Sequence, residues 1–242
     1  MVALKLLFSK LIYVTFYDDK VYRGIGSAPV ALGMHLKKST INAFFQKNTP
    51  EHGWFSSDER FNDLYPPSIQ PLARRHWTPL NVARKAARFL SAEKNVRILD
   101  IGSGVGKFCL AAASFCPAAL YYGVEQRKRL NNCAETAREI LGLGNVLFMH
   151  GNFTQTNFNN YDHFYFYNSF FENLADTDRI DEDIDYSAEL YYYYNRYLYT
   201  QLEQKPAGTR VVTFHSMEDE IPKDFKLAGS EMDNLLKYWI KA

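Results

Sequence analysis

Asp100-Ile101-Gly102-Ser103-Gly104-Val105-Gly106 places three glycines at alternate positions between two differently patterned segments. Before it runs Val96-Arg97-Ile98-Leu99, short, apolar and β-branched; after it Phe108, Leu110, Ala111 and Phe115 recur at helical spacing. Strand, glycine turn and helix in that order make the first unit of a parallel sheet. Glycines admit positive φ and close approach of a ligand, and the free N–H groups of the following helix point at the same place. The spacing G-x-G-x-G differs from the dinucleotide fingerprint G-x-G-x-x-G.

Outward from this turn the alternation continues. Strands are expected over 96–101, 120–125, 146–150, 163–167 and 210–214, with helices over about 128–141 and 186–202. Two further strands, 225–227 and 236–240, flank Gly229 as a closing hairpin. The strands are short and mostly apolar, as strands buried on both faces are. Upstream, Thr78 is placed to cap a helix over 79–91 with Pro79 at its first position, and Leu80, Ala83, Ala87 and Leu90 follow at helical spacing. Strands alternating with helices imply an α/β fold with a doubly wound, mostly parallel sheet. Residues 1–75 lack such periodicity and are broken by Gly24, Gly26, Pro29, Gly33, Pro50, Gly53 and Pro66-Pro67. They are read as an N-terminal extension or cap, and residues 76–242 as the main domain.

A length of 242 residues suits one such domain with an extension. The formal net charge of +1 supplies no global field toward polyanions, so neither a nucleic acid nor a membrane is expected as partner. No stretch reaches the ~20 continuous apolar residues of a spanning helix. The apolar run Leu11-Ile12-Tyr13-Val14-Thr15-Phe16-Tyr17 is followed by Asp18-Asp19-Lys20, not by a small-residue cleavage site. Cys109, Cys116 and Cys133 have neither C-x-x-C spacing nor a nearby histidine pair. They read as buried thiols of a cytoplasmic protein, with no metal site.

Open parallel sheets bind ligands beyond the carboxyl ends of their strands, and the first βα turn is normally that place. Asp100, two residues before Gly102, would meet a pyrophosphate with like charge and suits a cationic ligand better. Glu125 ends the second strand, where a carboxylate accepts two hydrogen bonds from a ribose diol; both NAD and S-adenosylmethionine use that position. Gly151-Asn152-Phe153 ends the third strand and offers an amide to an adenine edge and an aromatic face to its ring.

Through these residues the chain resembles the class I S-adenosylmethionine-dependent methyltransferases over about residues 76–242. The resemblance is carried by the glycine motif at 100–106, the carboxylate Glu125, Gly151-Asn152-Phe153, and Tyr167-Asn168-Ser169-Phe170-Phe171 after strand four. It implies a Rossmann-like, seven-stranded sheet in the order 3-2-1-4-5-7-6 with strand seven antiparallel, which the closing hairpin would complete. It implies S-adenosylmethionine as cofactor, held by Asp100, Gly102, Ser103, Gly104, Gly106, Glu125, Gln126, Asn152 and Phe153. Thr78, with His76 and Trp77, would cover the methionyl end. Two positions depart from the family: Asn152 stands where Asp is usual, and Asn168-Ser169-Phe170-Phe171 resembles the Asn-Pro-Pro-Tyr motif of amino-group methyltransferases without its prolines. Arg74-Arg75-His76-Trp77-Thr78-Pro79 ahead of residues 100–107 is similar to an uncharacterised bacterial group and, more distantly, to histone-lysine methyltransferases of the Dot1 type.

Methyl transfer from a sulfonium is an in-line displacement with a neutral leaving group, so alignment outweighs acid-base machinery. For an amine acceptor, the Asn168 side-chain oxygen would accept its hydrogen, and Phe170 or Phe171 would stabilise the growing positive charge by ~1 to 2 kcal/mol of cation-π attraction. Asn168 and Phe171 are the candidate catalytic residues, and the acceptor is an amine of a protein or small molecule. The acidic stretch with Glu172, Asp176, Asp178, Asp181, Glu182, Asp183 and Asp185 is either solvated charge or a reader of basic substrates; it also complements the dipole of the helix near Tyr186. Tyr191-Tyr192-Tyr193-Tyr194 covers every face of one helical turn, so part is core and part surface. Two other functions stay open on sequence: a nicotinamide-dependent oxidoreductase, which Asp100 and the glycine spacing oppose, and a non-catalytic S-adenosylmethionine-binding or interaction module, which both departures would allow.

Overall fold

Residues 98–101 are all buried, so the strand they form carries no in-out alternation and must be covered on both faces. In the computed structural model of the chain, residues 53–174, 179–216 and 220–242 are described. The expectations for the apolar run at 11–17 and for Asp176 and Asp178 lie outside the described residues.

Seven strands follow along the chain: β1 (Arg97–Ile101), β2 (Leu120–Glu125), β3 (Val146–His150), β4 (His163–Phe166), β5 (Arg210–Phe214), β6 (Phe225–Glu231) and β7 (Leu236–Lys241). They form one sheet in the order β3-β2-β1-β4-β5-β7-β6. β1 to β5 pair in parallel, and the closing hairpin inserts β7 antiparallel against β5. β6 runs four residues past its expected end at Leu227, with a register shift between Leu227 and Gly229. Strand order reverses between β1 and β4, so the carboxyl ends of β1, β2 and β4 open onto one crevice.

The helices are α1 (Asp58–Asn62), α2 (Ala73–His76), α3 (Leu80–Leu90), α4 (Lys107–Phe115), α5 (Lys128–Leu141) and α6 (Ala188–Glu203). α3 packs on α4 and against β4, β5 and β7, while α5 lies against β2 and β3. On this face Phe108 of α4 stacks on Tyr165 of β4, ring centroids 3.8 Å apart. The alternate residues Leu99 and Ile101 point the other way, into a cluster with Phe164, Phe166, Trp239 and the α6 residues Leu198 and Leu202. Tyr191 and Tyr194 pack on that cluster, whereas Tyr192 and Tyr193 are 68% and 53% exposed. The tyrosine run is thus divided between core and surface, as its helical spacing requires.

Thr78 corrects one expectation. It does not cap α3: its hydroxyl turns inward to the Tyr165 hydroxyl, 3.0 Å away, and the N-cap position falls to Pro79 without a side-chain cap. A phenol buried between a sheet and a helix must find a polar partner, and that need outweighs one helix cap. α6 is capped, by Ser187 Oγ accepting from Leu190 N–H at 3.1 Å. Cys109 and Cys133 are buried, Cys116 is half-buried, and none is bridged. Among the described residues no helix is long and apolar enough to cross a membrane.

The chain divides into a unit ending at Pro71 and one spanning Leu72–Ala242. In the first, Ser57 caps α1 and Phe61 packs against Phe55 and Tyr65 at ring separations of 5.5 and 5.9 Å.

Two glycines of the first turn make opposite demands. Gly106, at φ +78, precedes α4, and a Cβ there would lie 2.3 Å from Phe148 Cζ and 2.9 Å from Ala134 Cβ. Gly104, at φ +54, has nothing within 4 Å of its Cβ position. Gly106→Ala meets both backbone strain and overpacking and is expected to lose ~3 kcal/mol or more, against ~1 kcal/mol of strain alone for Gly104→Ala. Urea denaturation of the two variants checks the ranking; equal losses would refute it.

Candidate active site

The crevice beyond β1, β2 and β4 holds a cavity of about 260 Å³. Its walls come from Arg75 and His76 of α2, the turn residues Gly102 and Gly104, residues 124–127 at and beyond the end of β2, 151–153 after β3, 167–173 after β4, Ile180, and Tyr194 of α6. Gly102, Gly104, Glu125, Gln126, Asn152, Phe153, Asn168 and Phe171, all singled out from sequence, meet there. Thr78, Asp100, Ser103 and Gly106 are not among the lining residues.

Asp100 differs most from expectation. It is 3% exposed on the face of β1 that α4 covers, with Cys109 Sγ donating to its Oδ2 over 3.7 Å. Burial pushes its carboxyl up to about 8, so it is mainly protonated at neutral pH. Its charge cannot be what repels a pyrophosphate. Ser103 is structural in the same sense: its side chain fills the space over Gly123, where a Cβ would lie 2.6 Å from the serine Oγ.

The amides of the turn supply a different discrimination. Gly102 N–H and Ser103 N–H both donate to the Val124 carbonyl at 3.0 Å, Gly106 N–H to the Ser103 carbonyl at 2.8 Å, and Gly104 N–H to Glu125 Oε2 at 2.9 Å. The other oxygen of Glu125 accepts Arg127 N–H at 2.7 Å. A carboxylate of the chain itself therefore occupies the anion position of the turn. Burial raises the Glu125 pKa, while the Arg127 amide and guanidinium and the Gly104 amide pull it down. Each of its oxygens has a second lone pair beyond the bond it already accepts.

Asn152 and Phe153 are more engaged with the chain than their motif implies. Asn152 Oδ1 caps a single turn by accepting from Thr154 N–H and Oγ1 at 3.0 and 2.9 Å, and Nδ2 donates to Tyr194 Oη at 2.8 Å and Gln126 Oε1 at 3.4 Å. Phe153 stacks one face on Phe170 at 4.9 Å.

After β4, Asn168 has φ 40, a left-handed value that asparagine tolerates better than other side chains. Next to it, Ser169 Oγ donates to the Ile101 carbonyl at 2.7 Å and occupies the space a Cβ on Gly102 would need, 2.4 Å away. Phe170 belongs to the core, and Phe171 stands 43% exposed at the rim.

Sequence reasoning missed Arg127, which is buried and holds Glu172, Asp181 and the Tyr186 hydroxyl. Glu172 and Asp181 are thus ion-pair partners, while Glu182, Asp183 and Asp185 are exposed. A basic residue directly after a strand-end carboxylate, with an acidic run downstream, was the available signal. One other cavity residue carried none: Asn173 is buried, and its Oδ1 has no hydrogen-bond partner among the described residues. His76, expected over the methionyl end, does line the cavity, and burial lowers its pKa against the pull of Glu172.

The strand order with its antiparallel β7, and a crevice at the first βα turn, define the Rossmann-like methyltransferase fold. No family model matches the sequence, and no curated protein matches it. Among solved structures, TrmN from Thermus thermophilus aligns at 19% identity and TM-score 0.48, covering 69% of this chain and 49% of that one. This chain thus spans about half the length of TrmN. An RNA methyltransferase from Salinibacter ruber in complex with S-adenosyl-L-homocysteine aligns at 18% identity and TM-score 0.48, covering 68% and 92%. A SAM-dependent methyltransferase from Aquifex aeolicus aligns at 13% and 0.44, covering 66% and 89%.

Because the folded state keeps on Asp100 a proton that the unfolded chain releases, this group's contribution to stability declines as pH rises from its ordinary 3.8 to about 8, and is level above that. Asp100→Asn keeps the shape and cannot titrate. Its stability relative to the parent is expected to grow across that window; parallel profiles in urea denaturation would show an ordinary carboxylate instead.

Proposed function

We propose that this chain is an S-adenosylmethionine-dependent methyltransferase whose acceptor is an amine nitrogen of a protein or small molecule. The observation that carries the reading is the 2.9 Å hydrogen bond from Gly104 N–H to Glu125 Oε2. In a dinucleotide-binding turn such amides face a pyrophosphate. Here a phosphate would meet a carboxylate, at a repulsion of ~4 kcal/mol for unit charges 4 Å apart near a protein surface. A ligand with a ribose diol and no phosphate meets the spare lone pairs of Glu125 instead.

The residues present fit S-adenosylmethionine. Gly104 leaves open space against the turn, Glu125 accepts from a diol, and the unpaired Oδ1 of Asn173 awaits a donor. When bound, this cofactor supplies an electrophilic methyl group. The chain's own part is to bind, align and exclude water: Asn168, in a left-handed conformation on the cavity wall, presents an amide oxygen to the hydrogen of an incoming amine, and Phe171 offers its π face at the rim. The amine arrives unprotonated, which the neutral His76 in the wall favours. Three unbridged cysteines accord with a reducing cytoplasm.

Calorimetric titration is expected to show S-adenosylmethionine binding and no binding of NADH, with Glu125→Gln weakening affinity ~tenfold or more. Asn168→Ala is expected to lower turnover on an amine acceptor ~10²-fold while cofactor affinity stays within ~twofold. Tight NADH binding would reverse the reading. Turnover on RNA and on neither amine class would replace the acceptor, and binding without turnover on any acceptor would make the chain a binding module.

A further inference from the structure

Arg127 is 5% exposed, yet its side chain spans three separate parts of the site. Nη2 donates to Glu172 Oε2 at 2.7 Å and to the Tyr186 hydroxyl at 2.6 Å, and Nε donates to Asp181 Oδ1 at 3.0 Å. The partners are linked in turn: Glu172 Oε2 also accepts Ile180 N–H at 3.0 Å, and Tyr186 Oη donates to the Asp181 carbonyl at 2.7 Å. With Nε and Nη2 committed, Nη1 stands 3.9 Å from Glu125 Oε1, beyond hydrogen-bond reach but close enough to act as a charge. The same residue's backbone N–H makes the direct bond, 2.7 Å to that oxygen.

We propose that Arg127 is a positioning residue for ligand binding: it fixes the Glu125 carboxylate as the acceptor for a ribose diol, and the network of Glu172, Asp181 and Tyr186 exists to hold its guanidinium there. The proposal rests on the reading of Glu125 as the ribose acceptor. The backbone N–H groups of Arg127 and Gly104 aim this carboxylate and favour its charged form, and the guanidinium adds a full positive charge against the penalty of burying it beside another acid.

The groups facing Glu125 make that offset necessary. Gly104 N–H and Arg127 N–H donate to it, and Glu172 repels it through the same cavity wall. Asp100, on the adjacent strand, is mainly protonated, and His76, which faces Glu172 and Arg127, is neutral. Arg127 is therefore the cation that pulls the Glu125 pKa down against burial and Glu172. Without it, Glu125 takes up a proton at a higher pH and turns from an acceptor of two hydrogens into a weaker partner for a diol.

The test is the affinity for S-adenosylhomocysteine, measured by calorimetry between about pH 5 and about pH 7 on the full chain, where Asp100 keeps its proton. The parent is expected to show the weaker dependence on pH. Arg127→Met is expected to bind ~tenfold more weakly or worse at the acid end and to recover toward the parent as pH rises, because the carboxylate re-forms. Arg127→Lys restores a charge without the planar fork and is expected to keep the parent's pH dependence at somewhat reduced affinity. Should Arg127→Met fail to fold, Arg127→Met combined with Glu172→Gln leaves fewer unpaired carboxylates and carries the same comparison. A variant as tight as the parent, or one weakened equally at every pH, overturns the positioning role and leaves the cofactor reading intact. A parent that does not bind S-adenosylhomocysteine overturns both.

Discussion

Everything about this site depends on one carboxylate placed against one amide. Glu125 closes β2 with its oxygens turned back toward the β1 turn, and the N–H of Gly104 meets it. That bond requires β1 and β2 to be parallel neighbours in a register that puts their carboxyl ends side by side, as the pairing of Ile101 with Val124 does. It also requires a left-handed turn with no side chain in the way. Sheet topology, glycine spacing and ligand chemistry are consequently one constraint seen at three scales. A turn whose amides are already satisfied has no use for phosphate oxygens, which narrows the ligands far more than the glycines do.

Holding such a carboxylate in a dry wall shapes what surrounds it. The faces of the sheet are apolar, with Phe164 and Phe166 on one side and Phe108 against Tyr165 on the other, so polar groups gather at the carboxyl edge or pair off inside. Thr78 with Tyr165 is an inside pair, and Arg127 with its acidic partners is the edge assembly. Asp100 shows the other outcome: a carboxyl placed on the apolar face without a cation keeps its proton. Burial raises both acids, one strand apart, but Glu125 has a guanidinium and two amides drawing it back toward its charged form, where Asp100 has a thiol.

The sheet was legible because its strands are short apolar runs cut by glycine and charge, and periodicity reports burial directly. β2, β3 and β5 run over the expected residues. Where polar groups choose between partners, periodicity is silent: Thr78 had a cap and a buried phenol within reach, and a local pattern shows only the cap. The glycine turn, Glu125, Asn152 and Asn168 were visible as residues at strand ends, yet what they touch was not. Asn152 spends its amide on Thr154, Tyr194 and Gln126, partners up to 42 positions away. Arg127 was unreadable for the same reason, since its importance comes from Glu172, Asp181 and Tyr186, which only the folded chain brings round it.

The contact between Gly102 and Ser169 joins the two halves of the proposed reaction. One residue belongs to the turn that would hold the methyl donor, the other to the loop that would present the acceptor, and the serine hydroxyl sits where any side chain at 102 would go. These loops are 67 positions apart in sequence, yet neither can be remodelled alone. A side chain at 102 would need a smaller residue at 169 and would still carry the strain of φ +74, so the turn fixes its glycine twice over. Variation in such a crevice is accordingly pushed away from the seam between the two loops and onto residues farther along the wall.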